Sequence, residues 1–164
     1  MNVVFDIARS DSAGVAFTST ESQVPQARLC GLARVVEIKN PHAVTVKELD
    51  SADLEGVRRV LLKTRNSDVA SESSFHPDAV FIAPDAACWL ADRHFEVVGV
   101  DYFSVEAYTA DEPPAHRTMR DAGIVIVEGL NLKVPPPGDY ELRIEGYPQP
   151  GPRVVLSSLV EGSL

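Results

Sequence analysis

A mixed α/β fold is predicted by two features of this sequence. Short apolar, β-branched stretches alternate with helical stretches through the middle of the chain. Only strands are predicted towards its end, which favours a mixed sheet over a regular doubly wound one. The length of the chain is 164 residues. It predicts a single domain, 1–164, because a chain of this size can bury about two-thirds of its unfolded surface in one core.

The first half of the chain supplies three predicted strands, at 2–8, 32–38 and 58–64. The third is predicted to be central, because three apolar residues run consecutively in it. The polar stretch 8–23 between the first two is predicted to be a loop. Thr45 stands three residues before Glu48, the spacing of a capping box, so a short helix is predicted to begin there. A long polar loop is predicted over 65–77, of the kind that often borders a pocket.

The second half supplies two further helices and four strands. Residues 84–93 are predicted to be helical, with Asp85 early enough to complement the helix dipole. Residues 114–123 form the next predicted helix, which has proline in its first turn and Gly123 at its end. The predicted strands are 95–105, 124–130, 135–148 and 153–159, and the last two are expected to pair through the turn at Pro148–Pro152.

Charge and composition exclude several classes of partner. The net charge is −9 and the acidic residues are scattered, so neither nucleic acid nor an anionic membrane is expected to bind. The sequence has no apolar run of 18 residues and no signal-peptide layout at its start. Cys30 and Cys88 lack the spacing of a metal site and are typical of a reduced protein. A cytoplasmic protein is therefore predicted.

His116 and Glu128 are the main candidates for chemistry. The histidine lies near the start of a predicted helix, and the glutamate follows the apolar run Ile124–Val127, twelve residues later. A buried carboxylate beside an imidazole could serve as a general acid–base pair near neutral pH. The alternative is that both are ordinary surface residues at the ends of their elements.

Four stretches of the chain carry a resemblance to a known family: "VLLKTRNS" (60–67), "VVGVDYFSVEA" (97–107), "PPAHRTMRDAGIVIVEGLNL" (113–132) and "PPGDYELRI" (136–144). They resemble the cyclase family, which includes bacterial kynurenine formamidase and isatin hydrolase. The resemblance covers roughly 30–145 and implies a swivelling β/β/α fold, with a mixed sheet or barrel-like core and flanking helices. It also implies a hydrolase that opens an amide or lactam with a divalent metal such as zinc or manganese, and a homo-oligomer. In the family, the residues matching His116 and Glu128 help to hold the metal.

The sequence departs from the family where the remaining metal ligands belong. No His-x-Gly-Thr-His-x-Asp block is present, and the chain resembles a family member shortened at its N-terminus. The best ungapped placement, 6–17, puts Asp6 and Ser10 at the two metal histidines, Ser12 at the aspartate and Ala16 at the later catalytic histidine. A degenerate site without a resident metal is therefore expected. If a metal binds, His116 and Glu128 are expected to hold it, although a catalytic zinc site uses about three protein ligands.

The sequence predicts an enzyme that cyclises, dehydrates or hydrolyses a small molecule. His116 and Glu128 are its predicted proton carriers, aided by Asp6. Asp101 stands at the end of "VVGVD", and Arg65 and Asn66 follow the predicted strand 58–64. All three are candidate substrate-binding residues, although each could instead have a local role in a turn. Two alternatives remain: a metal-dependent amidohydrolase like kynurenine formamidase, and a non-catalytic binding or scaffold protein.

Overall fold

A computed structural model describes residues 2–8, 15–19, 23–69, 76–108, 113–147, 149 and 151–159. In this part of the chain the strands are β1 (Val4–Asp6), β2 (Ala16–Thr18), β3 (Cys30–Glu37), β4 (Ala43–Val44), β5 (Arg59–Lys63), β6 (Phe81–Ile82), β7 (Val97–Val100), β8 (Val125–Glu128), β9 (Gly138–Glu145) and β10 (Arg153–Ser158). The helices are α1 (Gln26–Leu29), α2 (Val46–Asp50), α3 (Asn66–Val69), α4 (Pro84–Asp92) and α5 (Pro114–Asp121).

One mixed sheet of eight strands organises the molecule, in the order β1-β10-β9-β3-β5-β7-β8-β2. Strands β3, β5, β7 and β8 run parallel, whereas β1, β10, β9 and β2 pair antiparallel with their neighbours. Every residue of β7 and β8 is buried, as expected for parallel strands covered on both faces. The predicted central position of β5 and the predicted pairing of β9 with β10 are both confirmed.

The sheet curls into a half-barrel. The amide of Asn131 donates to the carbonyl of Ile7 over 2.9 Å, and Ala8 forms a bridge with Leu130. These contacts join the segment after β1 to the segment after β8, although the two strands lie far apart in the sheet order. One apolar core fills the curl, and a second packs the helices against the other face of the sheet. The predicted α/β fold class is confirmed.

Several local predictions are also confirmed, and two are wrong. Thr45 and Glu48 form the predicted capping box at the start of α2, and α4 and α5 begin at the predicted prolines. The predicted loop 8–23 contains β2, because pairing with β8 makes these three residues extended. The predicted loop 65–77 begins with α3, and its residues 70–75 lie outside the described part. Pro148 and Pro150 of the predicted β9–β10 turn lie outside it as well.

Candidate active site

The candidate site lies where β7 and β8 end and α5 begins. Because β7 and β8 are parallel, their carboxyl ends meet at one edge of the sheet, where ligands commonly bind in α/β proteins. Glu128 is the last residue of β8, and Gly129 turns the chain away with a φ of 81°. His116 is the third residue of α5, whose buried Ala115 and Met119 pack into the core and fix the helix.

The structure brings His116 and Glu128 into direct contact. The Nε2 atom of His116 lies 3.0 Å from Oε2 of Glu128. Glu128 is 5% exposed, and the same oxygen accepts a hydrogen bond of 2.7 Å from the amide of Val105. A backbone donor and an imidazole therefore both stabilise a carboxylate that would otherwise be costly to bury.

Glu106 contacts the other side of the same imidazole and was not identified from the sequence. Its Oε1 lies 3.0 Å from Nδ1 of His116 and accepts a hydrogen bond of 2.7 Å from the His116 amide. It lies within the family-like stretch 97–107, which was the available signal. Spacing alone could not find it, because the loop after β7 has to fold back over α5 to make this contact.

The electrostatics of the site favour a protonated imidazole. The hydrogen bond to Glu128 raises the pKa of His116 above its ordinary value, and partial burial opposes this rise. The negative charges of Glu128 and Glu106 add to it. An imidazolium between two carboxylates can give up a proton, and a neighbouring carboxylate can accept one, so the arrangement suits general acid–base chemistry.

Asp101 lies at the end of β7 but belongs to a separate network. Its carboxylate is fully buried and accepts hydrogen bonds from the Thr64 amide at 2.7 Å, the Thr64 hydroxyl at 2.8 Å and the Ser67 hydroxyl at 2.6 Å. The Ser67 oxygen also accepts from the amide of Leu132. Burial raises the pKa of Asp101 to about 6, and these hydrogen bonds limit the rise. These contacts join the ends of β5 and β7; a role in binding substrate stays a prediction.

Arg65 and Asn66 both hold backbone groups of neighbouring segments. The amide side chain of Asn66 donates to the Val80 carbonyl over 2.8 Å and accepts from the Val80 amide over 2.9 Å. Arg65 donates to the carbonyls of Pro41 and Asp78, and it lines a surface hollow of about 380 Å³. The substrate contacts predicted for both residues stay predictions.

Asp6 is separated from the pair in the described contacts. It lies on β1, its side chain is 55% exposed, and its carboxylate is 3.6 Å from Nε of Arg153. Its other oxygen accepts from the amide of Ala8. Among the described residues no contact joins Asp6 to His116 or Glu128, so its assistance in catalysis also stays a prediction.

The described donors at this site are too few to hold the divalent metal that the family implies. Within the described ranges, no group of three or more His, Cys, Asp or Glu residues is arranged to hold a metal ion. The described donors that converge on one point are His116 Nε2 and Glu128 Oε2, one fewer than a catalytic zinc site requires. The placement that puts Ser10 and Ser12 at ligand positions falls on residues outside the described part. These two described donors alone do not complete a catalytic zinc site.

Comparison with known proteins identifies the family. The family model described as "Putative cyclase" matches residues 7–107, more than half of the chain. The chain belongs to the cyclase family. Similar curated proteins include the kynurenine formamidase of Geobacillus thermodenitrificans, 37% identical over 112 residues, and that of Salinibacter ruber, 41% identical over 122 residues. These alignments cover 68% and 73% of this chain and 53% and 56% of the relatives. The chain thus spans about half the length of the curated relatives it matches.

Solved structures of cyclase-family proteins have the same fold. A potential metal-dependent hydrolase with cyclase activity has a TM-score of 0.81 at 24% identity, over 98% of this chain and 100% of that one. A predicted metal-dependent hydrolase from Bacillus stearothermophilus has a TM-score of 0.77 at 25% identity, over 97% and 100%. An isatin hydrolase bound to thioisatinate has a TM-score of 0.65 at 17% identity, over 96% and 71%. In the described part of this chain, no helix has the length and apolarity to span a membrane.

Proposed function

We propose that this cyclase-family protein is a small-molecule enzyme in which His116 and Glu128 act as a general acid–base pair. The observation that carries the proposal is the 3.0 Å contact between Nε2 of His116 and Oε2 of the buried Glu128. The relatives named kynurenine formamidase and isatin hydrolase support an amide- or lactam-like substrate. Ring closure and dehydration also need one group that accepts a proton and one that donates a proton, so the proposal includes these reactions.

For hydrolysis, the proton transfers balance within the pair. Glu128 takes a proton from the attacking water while the water oxygen bonds to the carbonyl carbon of the substrate. His116, as the imidazolium, gives a proton to the departing nitrogen as the carbon–nitrogen bond breaks. Transfer of the first proton from Glu128 to His116 across their 3.0 Å contact restores the starting state. In ring closure of a hydroxy acid, a substrate hydroxyl takes the place of the attacking water, and the carboxyl hydroxyl, protonated by His116, leaves as water as its bond to carbon breaks.

Turnover of a substrate panel tests this proposal. Aryl formamides, lactams and hydroxy acids capable of ring closure are incubated with the wild type and with His116→Asn and Glu128→Gln. Each substitution should lower kcat by roughly 10²- to 10⁴-fold, the usual contribution of a general acid or base. The exposed residues His94 and Glu141 supply matched controls, His94→Asn and Glu141→Gln, which should keep wild-type rates. Full activity in both site variants would refute the assignment.

A metal-dependent hydrolase is the second candidate, favoured by the names of two structural neighbours, each described as a metal-dependent hydrolase. His116 and Glu128 would then be two of the metal ligands, and others would come from outside the described contacts. Elemental analysis of protein purified without chelator separates the two candidates. Turnover that survives dialysis against a chelator supports the metal-free pair, whereas about one tightly held metal per chain and loss of turnover on its removal would favour the metal enzyme.

Assembly into a homo-oligomer is a further part of the proposal. Several large apolar side chains are exposed near the chain ends and on the sheet: Val3, Val4, Leu32 and Leu159. A second copy of the chain could cover such surface. Sedimentation should then give a species larger than 17.8 kDa, and a uniform monomer would contradict this part of the proposal.

A further inference from the structure

A basic hollow lies at the carboxyl ends of β3 and β5, which run parallel and so end at the same edge of the sheet. It is the surface hollow of about 380 Å³ beside Arg65. Its lining includes four cationic side chains and two carboxylates: Lys39, Lys63, Arg65, Lys133, Glu37 and Asp68. Three of the four lysines of the sequence are among them. Four positive and two negative charges leave the hollow with a formal charge of +2, in a chain whose net charge is −9.

Two of the four cations are held in place by backbone carbonyls. The Nζ atom of Lys63 donates to the carbonyl of Pro135 over 2.9 Å and to that of Lys133 over 3.2 Å. Arg65 donates through Nε and Nη2 to the two backbone carbonyls named above. The carboxylate of Asp78 lies 3.5 Å from Nη2 of Arg65, but its side chain is 77% exposed, so water weakens this pair. An ammonium has three N–H donors and a guanidinium has five, so both groups keep donors for a ligand.

The other two cations have no described partner. Within the described ranges, no hydrogen bond or ion pair engages the ammonium group of Lys39 or Lys133, and both side chains are exposed. Cations around one concavity repel one another, and an oxyanion that enters it replaces this repulsion by attraction. Arginine and lysine are also the side chains with which proteins bind carboxylate and phosphate groups.

The size and the charge of the hollow indicate the class of ligand. Pockets that bind small molecules have volumes of roughly 300–1,000 Å³, so the hollow has room for more than a single ion. Its formal charge matches a ligand with two negative charges. The buried hydroxyls of Thr64 and Ser67 in its wall already donate to the carboxylate of Asp101. The cations therefore supply the attraction for such a ligand.

We infer that the basic hollow binds a small dianion that carries carboxylate or phosphate groups, with its oxygens held by the four cations. Lys63 and Arg65 provide fixed donors at the ends of the strands, and the exposed ammonium groups of Lys39 and Lys133 close around the ligand. The hollow lies at the same edge of the sheet as His116 and Glu128. The inference concerns binding alone, so it does not depend on the proposed acid–base pair.

Titration of the full chain with succinate and, separately, with inorganic phosphate tests the inference. At about pH 8 both probes are dianions, and sodium chloride keeps the ionic strength constant. The backbone amide signals of 63–68 in nuclear magnetic resonance spectra should shift and reach saturation at millimolar concentrations. The probe that binds more tightly identifies whether the hollow prefers carboxylate or phosphate. Acetate, which has one negative charge, should bind about tenfold more weakly than succinate.

A double variant separates binding in the hollow from general attraction of anions. Lys39→Gln combined with Lys133→Gln removes two exposed cations and should raise the Kd of the preferred probe about tenfold. Lys47→Gln removes the remaining lysine, which is exposed on α2 and outside the lining of the hollow, and should keep the wild-type Kd. The absence of saturable shifts at 63–68 with both probes would overturn the inference. An equal Kd in the wild type and the double variant would overturn it as well.

Discussion

Replacing Asp101 with asparagine should remove a specific pH dependence of folding stability. The carboxylate is fully buried, and its described hydrogen-bond partners are the neutral groups of Thr64 and Ser67. Burial raises its pKa from 3.8 to about 6 in the folded protein. Asparagine has a similar shape but carries no charge at any pH, so only the wild type bears the cost of ionising this group inside the core.

The magnitude follows from linkage between protonation and folding. A rise from 3.8 to about 6 is roughly two pKa units, or about 3 kcal/mol of the free energy of unfolding. Since the folded protein binds the proton more tightly than the unfolded chain, this cost is absent below about pH 4. It grows as the pH rises and is complete above about pH 6. About 2 kcal/mol of it falls between roughly pH 4.5 and 7.5, where unfolding can be compared directly.

Urea denaturation of the wild type and Asp101→Asn across this range measures the effect. The variant has a constant deficit because asparagine cannot accept all three hydrogen bonds, but relative to the wild type it should gain about 2 kcal/mol from low to high pH. The titration of His116 is common to both proteins and cancels in the difference. Asp92→Asn, at an exposed position on α4, should follow the wild type. A difference between wild type and Asp101→Asn that does not vary with pH would refute this account.

Two further substitutions test packing and capping by the same denaturation assay. Thr45→Ala removes the hydroxyl half of the capping box with Glu48 and should cost about 1 kcal/mol of the free energy of unfolding. Gly99→Ala would place its methyl carbon 2.5 Å from Leu61 and 2.8 Å from Leu130, so it should cost about 1–3 kcal/mol through overpacking. An unchanged urea midpoint in either variant would contradict the corresponding contact.

The sequence was sufficient for those parts of the fold that local pattern determines. The buried strands, the capping box and the two longer helices follow from residue type and period, and the structure confirms them. Strand β2 could not be predicted in this way, because its three residues are extended only through their pairing with β8. Its position follows from the curl of the sheet, which no local pattern encodes.

One contact of the candidate site could likewise be predicted from the sequence, and another could not. The contact between His116 and Glu128 could be predicted from the sequence, because a helix start and a strand end can be located there and matched to a family pattern. The contact of Glu106 depends on the path of the loop after β7. Long-range hydrogen bonds hold this path, among them those from the Gly129 amide to the Tyr102 carbonyl and from the Val105 amide to the Glu128 carboxylate.

Asp101 and Glu128 are buried carboxylates at the ends of neighbouring strands. Their comparison shows that a shifted pKa does not by itself identify a catalytic group. Burial raises the pKa of Asp101, but hydroxyl and amide donors surround it, and none of these can hold its proton near neutral pH. Glu128 faces an imidazole, whose ordinary pKa lies near 6.5, so a proton can pass between the two without either charge being left unpaired. A titratable group with a shifted pKa is a candidate for acid–base catalysis only when a neighbouring group can accept the proton that it releases. By this criterion the proton chemistry that we propose uses Glu128 and His116, whereas the hydrogen bonds of Asp101 join the ends of β5 and β7.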